Sequence, residues 1–336
     1  MVWDESRPLG HHQFIPAEWI GLILLLLSVC GITSNVVVSS GIVFGGLLKT
    51  DRCAVYKPML NLLISDTLNL LLSRCRLSLS ILLQRRILPY PWNNVADDLA
   101  LWHWQQSCFC LALLAIHRYV GVCRPNSRPR VFTHVGMTLL CLLLWPLSLL
   151  ATAVCQYVLP CCRHAVRYDL YSACFERRPD FDWNPVDLLV DMPFNLGGTI
   201  VFAFCYGSIF HRLRRSNLEI NKFMSDNLAT STAAAAGADT SSNAVASARL
   251  HSKRQRQERR FALQFLFISC VYVVSWTSFR LVPWAIGDST RLRQLYAFVP
   301  LVAIVHLSNN GVVYLIGNGE LRRRCFFWRR KGVGIA

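Results

Sequence analysis

The sequence predicts an all-α membrane protein, a bundle of seven transmembrane helices followed by a short amphipathic C-terminal helix. The chain of 336 residues is 53% hydrophobic and only 16% charged. Its apolar residues are gathered into seven blocks, each long enough to cross a bilayer as a helix. The blocks cover residues 19–48, 58–83, 95–122, 134–158, 186–210, 261–286 and 292–316.

The basic residues are distributed unevenly between alternate connecting segments. If the N-terminus is extracellular, the cytoplasmic segments and the adjoining helix ends contain 23 of the 35 Lys and Arg residues but 6 of the 19 Asp and Glu residues. An excess of Lys and Arg on the cytoplasmic side is the rule for multi-pass membrane proteins. We therefore expect an extracellular N-terminus, a cytoplasmic C-terminus and a plasma-membrane location. The basic composition then indicates contact with anionic lipid and no nucleic-acid partner.

The same pattern predicts three regions. Residues 1–17 form an extracellular N-terminus, residues 18–317 the transmembrane domain, and residues 318–336 an amphipathic helix and tail. Inside the second region, residues 216–253 are low in aromatic residues and rich in Ala, Ser and Thr, which predicts a disordered cytoplasmic loop. In the third, aromatic and basic residues alternate around Cys325, a candidate for palmitoylation at the inner leaflet.

The first two helices carry polar residues at membrane depth. Asn35 lies in the middle of the first block, where an amide needs a protein partner. Asp66 lies in the second block; an intramembrane carboxylate indicates a water pocket or an ion, with a hydrogen-bonded structural acid as the alternative. Further out, Arg74 and Arg76 either reach the headgroups or line an extracellular cavity.

The third block ends in His117, Arg118 and Tyr119. An arginine at the mouth of an apolar helix either extends to headgroups or has a protein partner. Beyond the fourth block, a polar loop contains Cys162 and Cys174, which are candidates for a disulfide on the oxidising side of the membrane.

The sixth and seventh blocks also contain polar groups. Arg280 follows Trp276 by one turn, and either reaches the outer headgroups or lines a cavity with that tryptophan. In the seventh block a polar cluster that includes His306 and Asn310 predicts burial inside the protein.

These landmarks together resemble the rhodopsin-like (class A) G-protein-coupled receptors, over nearly the whole chain. The matching motifs are the first-helix Asn35, LNLLISD ending at Asp66, AIHRYVGVCRP around Arg118, the fourth-helix Trp145, the fifth-helix Tyr206, the sixth-helix Trp276, and NGVVY from Asn310 to Tyr314. Each motif alone is weak, but their order and depths match together.

The resemblance implies roles for these residues. Asp66, Ser107 and Asn310, with Asn35 nearby, are expected to form a pocket for an allosteric Na⁺, and no other cofactor is expected. Trp276 is expected to act as the activation toggle. The resemblance also implies two sets of functional residues, one at each end of the bundle. The G-protein coupling face and latch comprise His117, Arg118, Tyr119, Glu258, Tyr206 and Tyr314, and the ligand pocket comprises Asp98, Trp102, Arg76, Asp191 and Arg280.

The departures from the family pattern mark a divergent member. His117 replaces the acid of the arginine motif, and Gly311 replaces the proline of the seventh-helix motif. Because His117 supplies no carboxylate, we expect raised basal signalling. Ala100 stands at the amine-binding position, which argues against a monoamine ligand.

The expected function is therefore a receptor that binds an extracellular ligand, a short peptide of the neuropeptide kind, and signals to a heterotrimeric G protein through outward movement of the sixth helix. Asp191 and Arg280 either bind that ligand or neutralise each other. A non-signalling or partner-dependent scaffold is the alternative, and a secondary transporter is disfavoured because the seven blocks show no internal repeat. No catalytic pattern predicts an enzyme.

Overall fold

The computed structural model describes residues 16–49, 53–125, 127, 132–159, 162–167, 172–177, 185–233, 260, 262–279, 281, 296 and 298–331. Over these residues the chain is a bundle of long helices with one small antiparallel sheet.

The first four helices follow the first four apolar blocks. Helix α1 spans Ala17–Phe44, and α3 spans Trp92–Cys123. Helix α2 comprises an α-helical part, Cys53–Asn69, a π-helical segment, Leu70–Cys75, and a second α-helical part, Arg76–Leu82. Helix α4 spans His134–Ala153 and continues into a π-helical turn, Val154–Val158.

The remaining helices complete the bundle. After a π-helical turn at Asp187–Asp191, α5 spans Met192–Ala233. Helix α6 spans Ala262–Phe279, α7 spans Phe298–Gly317, and α8 spans Gly319–Lys331. Helix α8 packs against α1 and continues almost directly from α7, in the place where the sequence predicts an amphipathic helix.

One boundary differs from the sequence prediction. The predicted disordered loop begins at residue 216, but residues 216–233 are helical and extend α5 beyond the apolar block. No Gly or Pro occurs between Ser208 and Ala233, and strong helix formers such as Leu218, Glu219 and Lys222 are present, so nothing stops the helix. Residues 234–253 of the predicted loop lie outside the described residues.

The outer surface of the bundle is apolar. Six helices are long and apolar enough to cross a membrane, namely α1, α3, α4 with its π-helical turn, α5, α6 and α7. On the outside of α4 and α5, Leu139, Leu142, Ile200 and Phe204 are each about 60% exposed. Helix α2 is more polar and packs against α1, α3, α4 and α7, which places its charged groups inside the bundle. This arrangement confirms the predicted seven-helix membrane fold.

A β-hairpin follows α4, where the sequence predicts only a polar loop. Strand β1, Cys162–Arg167, pairs antiparallel with β2, Ser172–Arg177, with Cys162 opposite Arg177. The hairpin packs on α3, and Cys162 joins a small apolar cluster with Leu101 and Val186. It therefore covers the outer end of the bundle.

Candidate functional site

The centre of the bundle holds a polar group built on Asp66. Ser107 Oγ of α3 donates a hydrogen bond to Asp66 Oδ1 at 2.6 Å, and Asn310 Nδ2 of α7 donates to Asp66 Oδ2 at 2.5 Å. All three side chains are at most 1% exposed. Three helices thus converge on one buried carboxylate.

Asn310 leaves one oxygen of this centre unused. Asn310 Oδ1 is buried and has no hydrogen-bond partner among the described residues. Burial of an acceptor that receives no hydrogen bond costs free energy, so the orientation of the Asn310 side chain calls for an explanation. Together with the carboxylate of Asp66 and the hydroxyl of Ser107, it completes a set of hard oxygen atoms.

Asn35 lies beside this centre and bonds to the backbone of α7. Its Nδ2 donates to the carbonyl oxygen of Leu307 at 3.1 Å, and its Oδ1 accepts from the Gly311 amide at 3.1 Å. A Cβ on residue 311 would lie 2.6 Å from Asn35 Oδ1, so the helices meet where only glycine fits. Proline at 311 would also lack the amide hydrogen that Asn35 accepts. The sequence departure at Gly311 therefore has a packing reason.

The end of the bundle opposite the β-hairpin places Arg118 against α6. Arg118 is 8% exposed, and its Cζ lies 4.9 Å from the ring centroid of Phe265. The His117 ring meets Phe132 edge to face at 5.0 Å. The arginine therefore contacts protein and does not extend to the headgroups. Glu258, the predicted latch partner, lies outside the described residues.

Three tyrosines named in the sequence analysis lie near this end. Tyr206 and Tyr314 are almost fully buried, and the Tyr314 ring lies 5.7 Å from Phe265. Tyr119 is only half-buried and packs on Phe204 at 5.3 Å. The structure thus brings Arg118 and Tyr314 to a common aromatic neighbour on α6.

The predicted ligand residues on α2 and α3 are engaged with other parts of the protein. Arg76 forms a buried ion pair with Asp97 and donates from Nη1 to Asn93 Oδ1 at 2.9 Å. Asp98 accepts from Gln156 Nε2 at 2.6 Å and from the Tyr157 hydroxyl at 2.5 Å. These contacts join α2 to α3 and α3 to α4.

Trp102 belongs to the same framework. Its indole Nε1 donates to Ser148 Oγ at 2.9 Å, and its ring meets Trp145 edge to face at 5.6 Å. Trp145 in turn donates from Nε1 to Asn61 Oδ1 at 3.1 Å. On α5, the backbone oxygen of Asp191 accepts from Asn195. Arg280 lies outside the described residues.

The chain matches the family model of the seven-transmembrane receptors of the rhodopsin family over residues 34–314. It belongs to that family. Squid rhodopsin has a similar solved structure, with a TM-score of 0.72, 16% identity, and coverage of 97% of this chain and 85% of the squid chain. At that identity the likeness concerns the fold. No match is found among curated protein sequences.

The receptor also has an aromatic cluster whose members were not predicted to lie together. Trp104 of α3 lies 5.6 Å from His306 of α7 and 5.7 Å from Phe279 of α6, and Tyr272 lies 5.4 Å from His306. The ring of Trp276 is half-buried nearby on α6, and its Nε1 has no hydrogen-bond partner in the described part of the chain. In the sequence, the polar residue His306 within an apolar helix was the feature that indicated a buried group here.

The receptor holds α3, α5 and α6 together at mid-height through Tyr272. Its hydroxyl donates a short hydrogen bond to Asn195 Oδ1 of α5, and the Cys108 thiol of α3 donates to the same hydroxyl at 3.3 Å. Neither contact was predicted from the sequence.

Two of the three cysteines predicted to be modified or bonded have described side chains. Cys162 is disulfide-bonded. The side chain of Cys174 lies outside the described residues, so the predicted pairing stays a prediction. Cys325 of α8 is half-buried and its thiol lies 3.7 Å from the carbonyl oxygen of Val37. Burial raises the pKa of the Cys325 thiol above its usual value.

The hairpin brings one histidine over the outer end of the receptor. His164 is part of β1, and its amide donates to Gln156 Oε1 at 2.9 Å. Burial, followed by the positive charge of Arg74, lowers the pKa of His164 to about 4. The charge of Arg74 therefore reaches the hairpin.

Proposed function

We propose that this receptor binds a short extracellular peptide and signals to a heterotrimeric G protein by outward movement of α6. The observation that supports this most directly is the contact between Arg118 and Phe265. It puts the arginine of the family's coupling motif against the cytoplasmic part of the helix that must move. Movement of α6 would uncover that guanidinium.

In the resting state, Arg118 pairs with Glu258 and packs on Phe265 under this proposal. Tyr206, Tyr314 and Tyr119 form the surrounding coupling face. An extracellular ligand shifts this two-state equilibrium only by the difference between its affinities for the two states. Trp276, on the same helix as Phe265, is the proposed toggle between the ligand and the cytoplasmic end.

The centre around Asp66 is proposed to hold Na⁺. The residues fit the ion, because Asp66, Ser107 and Asn310 present carboxylate, hydroxyl and amide oxygens, and Asn310 Oδ1 has no donor within the described residues. Na⁺ would supply a compensating charge for the carboxylate. Asn35 orients α7 beside it through the backbone of Gly311. Packing without the ion would favour the active arrangement.

The extracellular framework of Asp98, Trp102 and Arg76 is proposed to shape the ligand pocket. Since these side chains are held by α3 and α4 partners, they act as preformed walls, which lowers the ordering cost of binding. Asp191 and Arg280 are proposed to face the same pocket from α5 and α6. Their contact with the ligand stays a prediction.

We also propose the topology and lipid contacts. The N-terminus is extracellular and the C-terminus cytoplasmic, in the plasma membrane, with a palmitoyl chain on Cys325 and basic residues of α8 near the inner leaflet. The position of Cys325 beside Val37 of α1 supports this, because α8 then lies along the membrane end of α1.

A reporter assay tests the central proposal. Cells that express the receptor together with reporters for each G-protein class are exposed to pools of short peptides. We expect at least one class to respond, and we expect Glu258→Gln to raise its ligand-free activity, because the latch loses one charge. If no class responds in wild type or in Glu258→Gln, the non-signalling scaffold replaces this proposal.

A further inference from the structure

Arg74 is a buried cation with two guanidinium nitrogens that have no hydrogen-bond partner in the described part of the chain. It lies in the π-helical segment Leu70–Cys75, and only 4% of its side chain is exposed. Its Nε and Nη1 have no partner among the described residues. Removing an unpaired guanidinium from water costs several kcal/mol or more, so such a group calls for a functional explanation.

The neighbouring Arg76 shows that this protein can neutralise a buried arginine. Arg76 is 6% exposed and pairs with Asp97 of α3. Two residues on a helix are about 200° apart, so the two guanidinium groups point to different sides of α2. Arg76 is built into the framework, whereas Nε and Nη1 of Arg74 have no such partner within the described residues.

The surroundings of Arg74 resemble the wall of a pocket for a small organic group. Its Cζ lies 6.0 Å from the ring centroid of Phe279, and Phe279 contacts Trp104, which contacts His306. Phe279 and Trp104 are only half-buried, and His306 Nδ1 is buried without a hydrogen-bond partner in the described chain. A cation, a free ring nitrogen and accessible aromatic surface thus occur together.

The local backbone places Arg74 between Asp66 and the end of the bundle that carries the β-hairpin. Arg74 lies eight residues, or about 12 Å, further out along α2 than Asp66. The π-helical segment packs against α1, α3 and α7, and such segments frequently occur at functional sites because they re-aim side chains. On the outer side, the positive charge of Arg74 adds to the effect of burial in lowering the pKa of His164 in the hairpin.

We propose that Arg74 binds a carboxylate of the receptor's ligand, while Trp104 and Phe279 hold the apolar group beside it and His306 Nδ1 lies next to the anion. This assignment rests on the proposed function, since it names the chemical group of the peptide that enters the bundle. Guanidinium suits this role because its planar fork can donate two parallel hydrogen bonds to one carboxylate. The carboxylate is either the C-terminus of the peptide or an acidic side chain.

Purified receptor tests the site without a known agonist. The thermal unfolding midpoint is measured with 3-phenylpropionate and with its uncharged amide, each over a millimolar series. We expect the acid to raise the midpoint and the amide to leave it almost unchanged. Arg74→Gln should abolish the shift, and Arg74→Lys should retain a smaller one because the charge stays but the fork is lost.

Two matched variants control for charge and for stability. Arg85→Gln removes the same charge from an exposed residue in the turn after α2 and should keep the full shift. Arg76→Gln should lower the midpoint without probe, because Asp97 loses this ion pair, and so measures the effect of reduced stability by itself. Equal shifts from acid and amide, or an undiminished acid shift in Arg74→Gln, would overturn the assignment.

A cell assay separates this inference from the peptide proposal. Each peptide of a short library is supplied as free acid and as amide, with and without a Glu residue. Arg74→Gln should raise the half-maximal concentration of the active peptides about 10- to 100-fold. Activity of free acids alone identifies the C-terminus, whereas activity of amidated Glu peptides identifies the side chain.

The remaining outcomes distinguish the two proposals. Activation by amides that lack Glu, unchanged in Arg74→Gln, overturns the role of Arg74 and leaves the peptide receptor intact. Absence of any peptide response, together with the Arg74-dependent shift in purified receptor, contradicts the peptide proposal and supports a different carboxylate ligand.

Discussion

At the scale of single residues, the receptor keeps the chemistry of its polar centre while it changes the residues around it. Asp66 still receives hydrogen bonds from Ser107 and Asn310, but Gly311 follows where the family motif has proline. His117 likewise takes the place of an acid beside Arg118 and packs on Phe132. Each change alters a specific contact whose loss or restoration can be measured.

Asp66→Asn is expected to remove the sodium dependence of signalling. The amide keeps the size of the side chain but cannot supply the negative charge that holds a cation. Sodium dependence is measured as the change in basal reporter activity when external NaCl is replaced by choline chloride. Thr67→Val is the control, because the Thr67 hydroxyl donates to the backbone of its own helix at Leu63 and the substitution keeps the charge of Asp66. Equal sodium dependence in wild type and Asp66→Asn would remove the ion from the proposal.

His117→Asp is expected to lower basal signalling by up to about 5-fold, because a carboxylate next to Arg118 restores a charge restraint of about 1 kcal/mol or less. Second-messenger production without added peptide is the measurement, normalised to receptor at the cell surface. His211→Asp on the exposed face of α5 makes the same charge change away from Arg118. Basal activity that does not fall in His117→Asp, or falls equally in both variants, would count against the loosened latch.

At the scale of helices, close approach decides which substitutions are tolerated. Gly311→Ala should destabilise the receptor by about 1–3 kcal/mol, because the added methyl group would overlap Asn35 where α1 and α7 meet. Gly207→Ala on α5 is the matched control: its Cβ meets nothing within 4 Å, so stability should change by no more than about 1 kcal/mol. Thermal unfolding of purified receptor compares the two, and similar midpoints would show that α1 and α7 can separate at little cost.

The hydroxyl of Tyr272 restrains α6 at mid-height, so Tyr272→Phe should raise basal signalling. Its hydrogen bond to Asn195 is lost while the ring that packs on His306 remains. A hydrogen bond of about 0.5–1.5 kcal/mol corresponds to about a 2- to 10-fold change in the equilibrium. Tyr272→Phe, Asn195→Ala and the double variant form a cycle; strictly additive effects would mean that the bond does not control α6.

At the scale of the whole molecule, the charge distribution and the apolar surface predict one orientation in the plasma membrane. An epitope tag before Met1 should be stained by antibody on intact cells, whereas a tag after Ala336 should require permeabilisation. Staining of the second tag on intact cells would reverse the topology and would place Arg118 on the wrong side for a G protein.

Much of this architecture follows from local features of the chain. The apolar blocks predicted α1 to α7 because a helix that faces lipid must be apolar over its whole length. The meeting of Asp66, Ser107 and Asn310 was expected from the resemblance to the rhodopsin-like receptors, and the depth of each residue in its block is consistent with it. The extension of α5 to Ala233 was missed, since low aromatic content indicated disorder although no helix-breaking residue was present.

The sequence by itself determined the number of helices, their depth in the membrane and the polar residues that lie at each depth. Tertiary structure alone decided that Arg76 is paired with Asp97 while Nε and Nη1 of Arg74 have no partner among the residues that the structure describes, and that Asn35 excludes a side chain at residue 311. The physical reason is the rotation of each helix about its own axis, which decides the direction of its side chains. Hydropathy reports how deep a residue lies, but the partner of a buried charge depends on which helix faces meet, and the π-helical segment of α2 changes that facing between Asp66 and Arg76.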